Sequence, residues 1–184
     1  LLIVIAIIGV LVGIAIPVLN SQLEKSRKAK DLHTARSIES VLATAVNDGT
    51  IELAPPGRND QASGVWVIVT RDKDSWPEGY GKKTYPTYFC GVNKTIKING
   101  KVNNQEYDVF NDDLNNILNG AGFNSDIKVT SKNKKGDDSW DWIVIEIAYM
   151  NGKVVSRIFS GFTGKTSNMY ALRNDVTNIE NMIG

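Results

Sequence analysis

"LLIVIAIIGVLVGIAIPVLNSQLEKSRKAK", residues 1–30, is the stretch on which the fold turns. Nineteen residues precede the first amide side chain, Asn20, and twenty-three precede the first charge, Glu24. Residues 1–19 are apolar, with Gly9, Gly13 and Pro17 as the helix-weakening types. That length is close to the ~20 residues a bilayer core requires of a helix. A secretory signal would have a shorter apolar core and a small-residue cleavage site, and no such site is clear here. A terminal segment that is apolar on every face also argues against a buried core helix. It needs lipid, or other copies of itself, around it.

The pattern continues without a loop signal. Leu23, Ala29, Leu32, Ala35, Ile38, Val41, Leu42 and Ala45 recur at spacings near three and four, while Lys, Arg, Asp and Glu fill the other faces. This is an amphipathic helix, and Asp48-Gly49 supplies its stop. As one rod, the two halves would run roughly 70 Å at about 1.5 Å per residue. The second half needs a globular domain for its stripe, with Leu32, Ala35, Ile38, Leu42 and Ala45 as the packing residues.

Pro17 lacks an amide N–H, and its ring crowds the carbonyl of Gly13. Gly9 costs about 1 kcal/mol relative to Ala in a helix interior. Gly9 to Pro17 is therefore the weakest helical stretch. It reads either as a tolerated kink in a membrane helix or as a segment that unwinds when its surroundings change.

"LLIVIAIIGVLVGIAIP" resembles the N-terminal helix of type IV pilins and the related pseudopilins, with Gly9 and Pro17 at the family's Gly and Pro positions. The likeness is close over about 20 residues and extends as a helical layout to residue 48. Two departures stand out. The chain opens inside the motif, at Leu1 and without Met, so it reads as processed or as starting from an internal position. The family's processed N-terminal residue and nearby Glu would lie upstream. Gly13 stands where many relatives have Ala.

The resemblance implies a helical filament. Leu1, Leu2, Ile3, Val4, Ile5, Ile7, Ile8, Val10, Leu11, Ile14, Ile16 and Leu19 would form its core, and Gly9, Gly13 and Pro17 its unwinding stretch. It further implies a membrane-held subunit before assembly, with a prepilin peptidase, an assembly platform and motor ATPases as partners and a surface pilus as the destination. Moving such a helix from lipid into a bundle of like helices gains little hydrophobic energy, so the two states can lie close in free energy.

Lys25, Arg27, Lys28 and Lys30 follow the span directly. By the positive-inside rule alone they would hold the following domain in the cytoplasm, but that rule compares both flanks. The cluster reads as a solvated helix face, as a lipid-headgroup contact or as a set of ion pairs to neighbouring subunits.

Over the 184 residues, Lys plus Arg number 21 and Asp plus Glu 20, so the overall charge makes no case for nucleic acid. The single Cys, Cys90, cannot form a bridge within the chain and reads as a small buried apolar group. The single His, His33, reads as an exposed helical residue and makes no metal site alone.

Beyond residue 48 the expected class is α+β: an antiparallel β-sheet domain over residues 49–184, following helix segments 1–20 and 21–48. "VWVIVT" at 65–70 reads as a buried strand. Residues 71–91 carry too many Gly, Pro and charges for a regular element, and Trp76, Tyr80, Tyr85, Tyr88 and Phe89 would pack this long loop onto the domain. Asn99-Gly100 marks a weak hairpin and Asn151-Gly152 a clear one. Asp108 is the expected cap of a short helix presenting Phe110, Leu114, Ile117 and Leu118 and ending at Gly120. "DIKVTS" at 126–131 reads as a short strand.

In the strand before Asn151, Ile143, Ile145 and Ile147 share one face and Trp140, Trp142 and Val144 the other, so both faces need a cover. The first helix is one. A C-terminal helix starting at Thr166 or Ser167, with Leu172, Val176, Ile179 and Ile183 on its stripe, is the other.

No catalytic constellation and no phosphate-binding glycine loop is recognisable, and no cofactor is expected. Asp137, Asp138 and Asp141 lie close together but fit no EF-hand spacing, and they read as a charged hairpin tip more readily than as a calcium site. Asn93-Lys94-Thr95 has the form of a glycosylation acceptor, and Lys132, Lys134 and Lys135 make one local basic spot. The expected function is structural: a pilus filament subunit, or a minor pilin or secretion pseudopilin. The alternative of another class is a membrane-anchored binding protein that never polymerises.

Overall fold

The computed structural model describes residues 2–53, 63–77, 85, 87–93, 95–105, 109–132, 140–150, 152–161 and 170–171. Helix α1 runs unbroken from Leu2 to Asn47, 46 residues with Pro17 inside it. At about 1.5 Å per residue that is roughly 69 Å. The chain leaves it at the predicted stop, where Asp48 N–H reaches back to the Thr44 carbonyl at 2.9 Å and Gly49 takes φ +82°. A positive φ there suits a residue without a Cβ.

Strands β1 (Ile51–Glu52), β2 (Ser63–Thr70), β3 (Tyr88–Val92), β4 (Lys97–Ile98) and β5 (Lys101–Val102) come next, followed by helix α2 (Asp112–Gly120). Strands β6 (Trp142–Met150), β7 (Lys153–Gly161) and β8 (Tyr170–Ala171) complete the described elements. The main sheet has order β3-β2-β6-β7-β8 and a smaller one β1-β4-β5, and every pairing is antiparallel. The protein is thus α+β, as the sequence predicts.

Strand alternation sorts the side chains into two apolar layers. Val65, Val67 and Val69 of β2, Tyr88, Cys90 and Val92 of β3, and Ile143, Ile145 and Ile147 of β6 point to one face. There they meet Ala35, Ile38, Leu42 and Ala45 of α1 and Leu114 and Leu118 of α2. Trp66, Ile68, Phe89, Trp142, Val144 and Phe159 point to the other face. Among the described residues their cover is Trp76, with Tyr85 and Phe110 against it, and not a helix.

Both Asn-Gly hairpins lie where the sequence puts them. Asn99 and Gly100 have φ 51° and 75°, the pair of positive values a tight two-residue hairpin needs, and Gly152 has φ 80°.

Several expectations need correction. Residues 88–91, read as the end of a loop, form with Val92 the strand β3, every residue of which is buried. The flanking Gly, Pro and Lys disguise it. Gly91 is itself a packing requirement, because a Cβ there would lie 2.9 Å from the Phe89 ring and 3.0 Å from Trp66 Nε1. The cap of α2 is Asn111, whose side chain accepts from Leu114 N–H at 2.8 Å. Asp108 lies outside the described residues. Residues 126–131 form no strand. One backbone bond, Val129 N–H to the Thr70 carbonyl at 3.0 Å, ties them to β2. Trp140 precedes β6 and packs with the helix-side layer, not with Trp142. Tyr170 and Ala171 pair with β7, so these two residues of the expected C-terminal helix are extended, and Thr166 and Ser167 lie outside the described residues. Leu172, Val176, Ile179 and Ile183 lie outside the described residues.

Candidate functional site

The site is the exposed half of α1 and the place where it meets the domain. From Ile3 to Leu23 the large apolar side chains are 45 to 75 % exposed. Ile3, Val4, Ile5, Ile7, Ile8, Val10, Leu11, Ile14, Ile16 and Leu19 are all in this set, while the side chains of Leu1 and Leu2 lie outside the described residues. Removing a run of this kind from water is worth about 20–40 kcal/mol gross, at about 1.5–3 kcal/mol per large side chain. The helix is long and apolar enough to cross a membrane, and no part of its most apolar window is buried in the protein. Gly9 and Gly13 meet nothing: a Cβ at either would have no atom of another element within 4 Å. With Pro17 they lie in regular helix in the isolated chain.

The second half behaves differently. Ala35, Ile38, Leu42 and Ala45 are buried against the sheet, Leu32 is half-buried, and Leu23 and Ala29 are exposed. The packing stripe therefore begins about three turns after the first charge.

Between the two halves a clasp holds the domain. Asp31, 4 % exposed, accepts from Thr130 N–H at 2.8 Å, Thr130 Oγ1–H at 2.6 Å and Ser131 N–H at 2.9 Å. Two turns earlier, Glu24 accepts from Lys132 N–H at 3.0 Å and from the Ser131 hydroxyl, and Arg27 reaches it at 3.4 Å. Lys28 lies over the Trp140 ring at 5.4 Å, within cation–π range. Residues 130–132 thus satisfy their backbone donors on helix carboxylates, while Val129 N–H goes to β2. Sequence reasoning missed this. Glu24 and Asp31, seven apart and so on one helix face, were the available signal.

Interior titratable groups are inert by environment. Cys90 is buried, and burial lifts its thiol to about 12, so it is neutral at physiological pH. Burial likewise raises the Tyr88 hydroxyl. Glu146 faces Arg157 across β6 and β7, and burial raises its carboxyl more than the guanidinium lowers it.

The remaining candidates disperse. Asp141 is buried and paired to Arg71 at 2.7 Å, and Asp137 and Asp138 lie outside the described residues. His33 is exposed on α1. Asn93 uses its backbone to tie Gly64, Ile96 and Asn103, while Lys94, Lys134, Lys135 and Tyr80 lie outside the described residues. Among the described residues no three His, Cys, Asp or Glu are placed to hold a metal ion.

No family model, curated protein or solved structure matches this chain. The architecture stands on its geometry: a long apolar N-terminal helix packed on an antiparallel sheet, compatible with a pilin-like fold. That helix could anchor the protein in a membrane.

Proposed function

We propose that the protein is a structural subunit of a type IV pilus-like filament, held in a membrane before assembly and polymerising through α1. One observation carries the reading. A single helix is bare and apolar on all sides over its first half, and locked to a folded domain over its second. A bare rod must stay dry, and lipid or a bundle of identical rods serves almost equally well. The Gly9, Gly13 and Pro17 stretch supports the reading, because it lets the rod change length at the transfer from one to the other. The displayed domain would then serve adhesion, motility or uptake. The implied partners are other copies of the chain and an assembly machinery in the membrane.

The test is cross-linking of the full chain in membranes of cells that carry such a machinery. Pairs of cysteines in α1, for example at Val10 and Ile14, would be introduced in a Cys90→Ala background. A filament subunit gives a ladder of multiples. An anchor that never polymerises gives monomer alone, and that result would replace this reading with an anchored surface binding protein.

A further inference from the structure

We propose that the basic side chains where α1 leaves its apolar half form, with residues 128–132, a docking surface for anionic phospholipid headgroups. Lys25, Lys28 and Lys30 do not share a helix face. At about 100° per residue, Lys28 and Lys30 stand roughly 300° and 140° round from Lys25, so positive charge encircles the rod. All three lie within about 8 Å along the axis, close to a Debye length at physiological salt.

The fold adds a fourth charge at the same height. Lys132 is exposed, and its N–H donates to Glu24, the residue after Leu23, where the run of exposed large apolar side chains on α1 ends. Lys128 is exposed about two turns further up the helix, beside Asp31 and Thr34.

The acidic residues of this stretch are turned to another use. Glu24 and Asp31 are the only carboxylates between residues 20 and 35, and the clasp engages both with donors from residues 130–132. Lys25, Lys30, Lys128 and Lys132 are exposed and Lys28 is half-buried against Trp140, while the carboxylates face in. Trp140 contributes an amphipathic ring at the same level, under Lys28, which is the side chain favoured where apolar and wet phases meet.

An anionic bilayer surface is the complementary partner, because the ring adjoins the apolar span directly and each basic residue near such a surface favours it about fivefold. A second copy of the chain is disfavoured as occupant. Its matching stretch carries the same ring, and its two carboxylates there are already engaged.

The experiment uses the purified full chain in neutral detergent micelles doped with phosphatidylglycerol or phosphatidylcholine, and measures the lipid retained per protein. Phosphatidylglycerol should be retained about tenfold or more over phosphatidylcholine at low salt, with the ratio collapsing towards one near 0.5 M salt, where screening is strong. Replacing Lys25, Lys30 and Lys132 by Gln should cut that ratio at least about tenfold, and each single replacement about two- to fivefold.

Replacing Lys97, Lys101 and Lys153 by Gln removes the same charge at the other end of the domain and should leave the ratio unchanged. Equal retention of the two lipids, or equal loss in both triple variants, overturns the inference. All six side chains are exposed or half-buried at the surface, and the single variants keep the test open if a triple variant is poorly folded. The reading does not depend on polymerisation. A lipid preference without a cross-link ladder removes the filament proposal alone, and a ladder without the preference removes this one alone.

Discussion

Replacing Asp31 by Asn should loosen the domain from its helix while leaving the rod intact. Asp31 is 4 % exposed and takes three hydrogen bonds between 2.6 and 2.9 Å. The amide keeps one acceptor, but it turns an NH₂ toward Ser131 N–H or toward Thr130, setting donor against donor. Hydrogen bonds to a charged acceptor contribute about 1.5–3 kcal/mol, and a buried donor left unmet costs about 1–3 kcal/mol. With one bond lost and two weakened, the expected destabilisation is about 2–4 kcal/mol. For a chain of this size that lowers the melting temperature by about 5–15 °C. The assay is heat or urea unfolding of the full chain in neutral detergent, followed by tryptophan signals, with hydrogen exchange read at Thr130 and Ser131. Those two amides should exchange faster even well below the melting point. Asp126→Asn, on an exposed turn, should stay within about 0.5 kcal/mol of the parent. If Asp31→Asn does the same, or its two amides keep their protection, the carboxylate is not what fastens residues 127–132.

Gly91→Ala should cost about 1–3 kcal/mol or more through overpacking, since its methyl falls 2.9 Å from the Phe89 ring and 3.0 Å from Trp66; urea midpoints read this, and a neutral result would mean the two rings move freely. Glu146→Ala should destabilise by about 3–5 kcal/mol by stranding Arg157, whereas replacing both by Met should be neutral or stabilising. Because burial raises the Glu146 carboxyl, the folded chain keeps its proton to higher pH than the unfolded chain. Its contribution to stability is therefore largest at low pH and falls as pH climbs above the ordinary carboxylate range; a Glu146→Gln, Arg157→Gln pair should lose this slope. The Cys90 thiol, lifted to about 12, should react with an aromatic disulfide reagent at pH 8 only as fast as the domain opens, and labelling at the rate of a free thiol would contradict its burial. Ala at Gly9 and Gly13 meets no other element and should favour helix by about 1 kcal/mol each. If assembly unwinds this stretch, membrane insertion should be unchanged while the cross-link ladder shrinks, and an unaltered ladder would remove unwinding from the proposal.

What was legible in the sequence was what short-range chemistry determines. The stripe of Ala35, Ile38, Leu42 and Ala45 is a helix-period signal, and all four are buried. Asn-Gly pairs demand positive φ, and Asn99, Gly100 and Gly152 have it. β2 is a continuous apolar run and lies inside the sheet with every residue buried. Tyr88 to Val92 escaped notice because a five-residue strand carries little signal of its own, and its paired residues in β2 stand 19 to 27 positions earlier. The cap of α2 was misplaced by three residues because Asp and Asn both suit the role. What selects Asn111 is tertiary: its amide also donates to Asn103 at 3.1 Å and its own N–H to the Cys90 carbonyl at 2.9 Å.

The clasp marks the limit of pattern reading at the site itself. "DIKVTS" has the composition of a strand, and local propensity alone favours one. A strand, however, requires a neighbouring ladder, and these residues lie beside a helix, whose backbone bonds are all spent internally. The acceptors a helix offers sideways to backbone N–H groups are chiefly its side chains. Carboxylates are the strongest of these, so Glu24 and Asp31 take the place of a partner strand, 99 to 108 residues away in the chain. The same solution places exposed lysines and engaged carboxylates at one level of the rod. A reading of residues 20–35 by charge count alone sees four basic and two acidic side chains mixed together; the three-dimensional arrangement turns both carboxylates inward and leaves Lys25 and Lys30 exposed at the point where the apolar half ends.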